Sequence, residues 1–369
     1  MVGSTRTGND RFQKAQQVAN TTVARPWSTT DLEDNDAFSK VFVLQKTLGR
    51  GGEGVVNAYR HQPSGDVVAV KVSIDHKGIS KIKTEASNLR MVGTHDHIVE
   101  MLTYSGSHRP LGPAIFLRLA DLGSLICYRD AWCEQERLRG RPKRPAESTI
   151  WKLLKDMILA LDHLHNGLHI TYIHNDIKPE NILVLTPEGH DWGAAGLPTE
   201  PIFQLADFTR LVPFPAPAGT IDEWAGTPEY APPPSEQRGH VKPCTDIWGL
   251  GGTVQYFALG CGPQQSRAAF MADRKKQGLD HPALDDQRAW KMLEWRRARP
   301  VVYRPLNAPV EYYARVPFIR DYQPYSSNLN AVYASLMELN ADRRPTSRRL
   351  VEYIVPSLDK QIKMAKTWR

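Results

Sequence analysis

Cysteine is scarce in this 369-residue chain: Cys127, Cys133, Cys244 and Cys261 lie far apart, with no Cys-x-x-Cys pair among them. That excludes a disulfide framework or a zinc cluster as the organising device and leaves reduced, structural thiols. Long apolar runs are missing as well. No window approaches the roughly 18 uninterrupted apolar residues of a membrane span, and residues 1–10 are polar rather than basic and then apolar. A soluble intracellular protein, cytoplasmic or nuclear, is expected. Neither sign of charge dominates, since the net charge is only +7. Such an excess favours phosphates or acidic surfaces without calling for nucleic acid. No internal repeat is found. What remains, 41% hydrophobic and 24% charged residues, is a globular composition long enough for at least one large core.

The texture changes along the chain. Residues 1–37 are rich in Thr, Gln, Asn, Asp and Ser, with few bulky apolar side chains, and are expected to form a flexible N-terminal arm. From Val41 onwards, residues 41–48, 55–59, 67–72 and 114–119 are β-branched, apolar runs bounded by Gly and Pro, which predicts strands. The period then switches. Apolar residues at 150, 153, 154, 157, 158, 161 and 164 form a helical stripe that follows Ser148 as a cap and stops near Gly167. Two stretches read as surface insertions: residues 134–147, with five basic residues between 137 and 144, and residues 186–200, rich in Gly, Pro and Ala. A further C-terminal segment spans residues 264–300.

Gly49-Arg-Gly51-Gly-Glu-Gly54 has a Gly-x-Gly-x-x-Gly spacing that alone could open a dinucleotide-binding helix. Here it runs instead into a second strand-like segment, and a lysine closes Val68-Ala-Val-Lys71 on the next. A glycine hairpin whose amides approach phosphates, beside a lysine on the following strand, suits ATP. Downstream come Tyr172-Ile-His174-Asn-Asp176-Ile-Lys178-Pro-Glu-Asn181, Asp207-Phe208-Thr209, Gly226-Thr227-Pro-Glu-Tyr230, Asp246-Ile-Trp-Gly and Arg344-Pro345-Thr346. In this order the motifs resemble the eukaryotic protein kinase family, and Asp-x-Lys-Pro-Glu-Asn is similar to its serine/threonine branch.

The resemblance covers residues 41–355 and implies an α+β, two-lobed fold: a strand-rich N-lobe over 41–119, a mainly helical C-lobe over 120–355, and ATP with Mg²⁺ in the cleft. It implies roles residue by residue. Gly49, Gly51 and Gly54 would cover the phosphates and Lys71 hold them, steadied by Glu85 on the next helix. Val56, Ala69 and Leu183 would sandwich the adenine, with Leu117 as gatekeeper and the backbone of residues 118–120, ending at Ala120, along its edge. Asp176 would accept or orient the substrate proton, Lys178 steady the transferring phosphoryl group, and Thr227 bond both. Asn181 and Asp207 would ligate magnesium. Leu89, Met101, His174 and Phe208 match an apolar stack linking the lobes, and Asp246 would anchor the catalytic loop. Protein substrates bearing serine or threonine hydroxyls follow.

Three residues depart from the pattern. Thr209 replaces a glycine, and a β-branched residue resists positive φ. Asn175 replaces the arginine before the catalytic aspartate, which points to activity independent of activation-segment phosphorylation. Pro234 stands where a glutamate pairs with Arg344, with Glu236 two residues on as a substitute. Two alternatives stay open on the sequence: a pseudokinase acting as an ATP-binding scaffold, and a small-molecule kinase with the same core.

Overall fold

The computed structural model describes residues 27–51, 54–109, 112–217, 224–233, 235–237, 241–263, 303–314 and 322–367, with isolated positions at 272, 275, 276, 278, 316 and 319. Most of the 264–300 segment, Pro234 and residues 1–26 of the expected arm lie outside them.

Two short helices open the described chain: α1 (Thr29–Glu33) and α2 (Asn35–Val41). The strands β1 (Phe42–Gly51), β2 (Gly54–His61), β3 (Val67–Val72), β4 (Met101–His108) and β5 (Gly112–Arg118) follow, with α3 (His76–Val92) between β3 and β4. They form one antiparallel sheet in the order β1-β2-β3-β5-β4. The four expected strands are all present. The fifth, β4, escaped the sequence reading because Tyr104-Ser-Gly-Ser-His108 lacks an apolar run.

Residues 28–37, expected in the flexible arm, are instead ordered in two helices. Ser28 caps α1 through a reciprocal capping box with Asp31, and Asp34 caps α2 through bonds to the amides of Asp36 and Ala37. The polar residues that suggested disorder are therefore helix starts. Leu32 is fully buried, and Trp27 meets Phe42 edge to face with ring centroids 6.1 Å apart. Ser105 Oγ donates to the Glu33 carbonyl, Asn35 Nδ2 to the Ser107 carbonyl, and the Arg109 amide to Asn35 Oδ1. The helices thus cover edge strand β4, a position where unpaired backbone groups otherwise invite pairing with another chain.

Below the sheet lie α4 (Leu125–Leu138), α5 (Glu147–Asp162), short strands β6 (Thr171–Ile173), β7 (Ile182–Leu185), β8 (Ile202–Leu205) and β9 (Val212–Phe214), then α6 (Pro243–Leu259), α7 (Ser327–Leu336), α8 (Ser347–Tyr353) and α9 (Val355–Thr367). This is the two-lobed α+β fold. Helix α5 starts earlier than the stripe suggested, with Ala146 at its N-cap and Ser148 buried inside it. The reason is burial: Ile150, Leu153, Leu154, Met157 and Leu161 point into the core, and packing rather than a cap fixes the start. The fold also runs beyond residue 355, because Leu358 and Ile362 of α9 are buried in the same core. The basic stretch is not a free loop either, since α4 takes in residues up to Leu138 and Arg144 stacks on Tyr325 and donates to the Gln323 carbonyl.

Candidate active site

Glycine hairpin β1–β2 pairs Gly49 with Val56 and Gly51 with Gly54. A Cβ on Gly54 would stand 2.5 Å from the Val72 carbonyl oxygen, so packing alone forbids a side chain there. Gly49 and Gly51 have nothing within 4 Å of such a Cβ, so packing does not require glycine at either. Behind the hairpin, Val56 lies opposite Lys71, and Ala69 opposite both Ala58 and Leu117. Val56, Ala69, Leu117 and Leu183 belong to one apolar cluster, and Ala120 follows the last strand of the sheet, accepting a bond from the Gly123 amide.

Lys71 is aimed by strand alternation. Its Nζ lies 2.6 Å from Glu85 Oε2 and 3.4 Å from Asp207 Oδ1. Glu85 is on the inner face of α3 with Ile82, Ala86 and Leu89, and is only 2% exposed. The interval between Lys71 and Glu85 is closed by Asp75, which caps α3 by accepting from the Gly78 amide. Phe208 is buried against His174, ring centroids 5.0 Å apart, and Leu89 and Met101 join the same cluster.

The loop that carries Asp176 hangs from α6. Asp246 Oδ2 accepts from the His174 amide and from His165 Nε2, and its Oδ1 from the Asn175 amide. A Cβ on Gly249 would meet Ile177 Cβ at 2.8 Å, so the helix must present glycine for the loop to lie this close. His174 Nδ1 accepts from the Asp176 amide, and its Nε2 therefore carries the proton facing the Ala206 carbonyl at 3.0 Å. Asp176 is gripped at both oxygens: Oδ1 accepts from the Thr227 amide at 2.6 Å and Oδ2 from Lys178 Nζ at 2.8 Å. Lys178 also donates to Thr227 Oγ1 at 2.7 Å. Asn181 donates its amide N–H to the Asp176 carbonyl, which leaves its side-chain oxygen to accept or ligate.

The structure brings Lys71, Glu85 and Asp207 into one group and Asp176, Lys178, Asn181 and Thr227 into another, with Val56, Ala69, Leu117 and Leu183 in one apolar cluster. Hard oxygens from Asn181 and Asp207 beside an anchored lysine fit Mg²⁺, which takes one or two protein ligands and fills its shell with phosphate oxygens and water. The residues present fit ATP with magnesium.

The profile of the protein kinase domain matches residues 42–354. The chain belongs to the protein kinase family. Among curated proteins, this kinase is 24% identical over 323 residues to the membrane-associated tyrosine- and threonine-specific cdc2-inhibitory kinase wee-1.3 of Caenorhabditis elegans, covering 86% of the chain and 37% of that protein. It is 28% identical over 279 residues to Aurora kinase of Schizosaccharomyces pombe, covering 73% of the chain and 69% of the relative. A probable myosin light chain kinase of Dictyostelium discoideum is 27% identical over 247 residues, covering 65% and 69% respectively. The chain therefore spans little more than a third of the worm relative. Among the described residues of this kinase, no helix is long and apolar enough to cross a membrane.

Two participants, Arg210 and Asn88, were missed from the sequence, and a third, Thr209, was noted there without its contact. Arg210 Nε approaches Asp176 Oδ2 to 3.8 Å, bringing a cation to the aspartate that Asn175 does not supply. Asn88, one turn beyond Glu85, donates to the Phe208 carbonyl at 2.7 Å. Thr209 Oγ1 donates to Asp207 Oδ1 at 2.7 Å. A polar residue at helical spacing from Glu85 was the only available signal for Asn88. For Arg210 it was closeness in sequence to Asp207, and for Thr209 its replacement of a glycine.

Proposed function

We propose that this kinase transfers the γ-phosphoryl group of ATP to serine and threonine hydroxyls of proteins. The grip on Asp176 carries the reading: Thr227 and Lys178 fix both carboxylate oxygens. A hydroxyl entering the cleft would meet an oriented acceptor for its proton. Lys178 Nζ, shared between Asp176 and Thr227, would sit beside the transferring group and offset its charge. Lys71, held by Glu85 and Asp207, would grip the α and β phosphates, and the amides at Gly49 and Gly51 would cover them. Val56, Ala69 and Leu183 would enclose the adenine, with Leu117 behind it and the backbone ending at Ala120 along its edge. Asn181 and Asp207 would hold magnesium, which would supply positive charge against the phosphates. With Lys71, Asp176, Asn181 and Asp207 all present and assembled, a catalytic role is favoured over a scaffold. The Lys178–Thr227 bond, built from the serine/threonine-branch motifs, supports protein hydroxyls over small alcohols.

The test is incubation with Mg·ATP and either a peptide mixture or small alcohols, followed by phosphoamino-acid analysis. Label on serine or threonine is expected. Label confined to tyrosine would overturn the residue preference, and label confined to small alcohols would overturn the substrate class.

A further inference from the structure

Thr209 occupies a position that the family gives to glycine, and the structure shows what the added side chain touches. Residues Phe208–Arg210 form a single 3-10 turn. The positive φ in this segment falls on Asp207, at 64°, and not on Thr209, so the β-branched residue is accommodated without left-handed strain. Its hydroxyl donates to Asp207 Oδ1 at 2.7 Å and lies 3.4 Å from Glu85 Oε2. Those two carboxylates flank Lys71. A hydroxyl carries one proton, and the shorter contact takes it. Asn88 ties the neighbouring Phe208 carbonyl to α3, so the turn is joined to that helix next to Thr209.

We propose that Thr209 is a positioning residue whose hydroxyl holds Asp207 toward Lys71, in a turn that Asn88 ties to α3, so that the Lys71–Glu85–Asp207 group is assembled before any nucleotide arrives. Glycine has no donor for this. Bonds to an ionised acceptor are among the stronger hydrogen bonds, and Asp207 keeps its second oxygen and further lone pairs for a metal. The inference rests on the roles proposed above for Lys71 and Asp207, and its test separates the two.

Three variants divide shape from chemistry: Thr209→Ser keeps the hydroxyl, Thr209→Val keeps the branched shape without it, and Thr209→Gly removes both. Hydrogen exchange of residues 207–212 is followed in the nucleotide-free full chain, and the Mg²⁺ concentration for half-maximal peptide phosphorylation is measured separately. Thr209→Ser should exchange like the parent. Thr209→Val should exchange on the order of tenfold faster, as expected for losing a bond to a charged group, and Thr209→Gly faster still because its backbone is also freed. Half-maximal Mg²⁺ should rise severalfold in the valine and glycine variants alone. Parent-like exchange in Thr209→Val, or valine-like exchange in Thr209→Ser, would overturn the proposal. Because exchange is read without substrate, an inactive parent would contradict the phosphotransfer reading and leave the Thr209 comparison intact.

Discussion

Arg344 shows how a single residue can find its partner at an unexpected place. Its Nη1 and Nη2 grip Glu236 Oε2 and Oε1 at 2.9 and 2.8 Å, and it also donates to the Cys244 and Glu338 carbonyls. The guanidinium lies 5.1 Å from the Trp248 ring centroid, and the two charged side chains are 0% and 11% exposed. Glu236 thus does what the sequence suggested it would, two residues after the position the family uses. Glu236→Gln leaves a buried cation facing a neutral amide and should cost about 3 kcal/mol of unfolding free energy in urea. An unchanged midpoint would mean that the two carbonyls alone satisfy Arg344. Residues at this scale were legible where chemistry requires a particular side chain at a particular spacing, as with Lys71, Asp176, Lys178, Asn181 and Asp207. Arg210 and Asn88 were not, because their roles arise from the Asp207 turn meeting Asp176 and α3 across the fold.

Among the elements, α1 and α2 were hidden by their own caps, since Ser28, Asp31 and Asp34 count as disorder-promoting in composition yet start helices when an apolar partner is near. That partner is the outer sheet face, where Leu32, Phe38, Phe42 and Phe116 form a separate core. Leu32→Ala should therefore lower unfolding free energy by about 3 kcal/mol, and deleting residues 1–37 should lower it at least as much. Stability unchanged by either would show that α1 contributes no packing. A second expectation concerns the junction of α3 with the C-lobe. His95 stacks on His163 at 4.7 Å, and His97 lies 3.6 Å from Asp156, with Asp96 and Lys152 near by. Burial is the main cause that holds the His95 and His97 rings below the usual histidine range, and for His97 it outweighs the opposing pull of Asp156. The unfolded chain binds protons at these positions near pH 6.5 while the folded chain refuses them until lower pH. Stability should hence fall as pH drops below about 6.5, and His95→Asn should flatten that slope in urea titrations between about pH 5 and 8. An identical slope in the variant would locate the protons elsewhere.

At the scale of the whole molecule, the order of the motifs made the two lobes legible, because each motif fixes one wall of a single cleft. The sheet register that sets Lys71 opposite Val56 and the α6 anchor at Asp246 are long-range facts that local patterns only imply. Edge strand β4 and the extension of the core through α9 escaped for a different reason, since both are stabilised by neighbours distant in sequence rather than by their own periodicity. In the proposed function, the cleft moves a phosphoryl group by means of Asp176. The measurement that tests it most directly is magnesium-dependent transfer of label from γ-labelled ATP to a peptide mixture, by the parent and by Asp176→Asn matched for thermal unfolding. The parent should label serine or threonine, and Asp176→Asn should be slower by at least about a hundredfold. Equal rates in the two proteins, or no transfer by a parent that binds Mg·ATP, would contradict it.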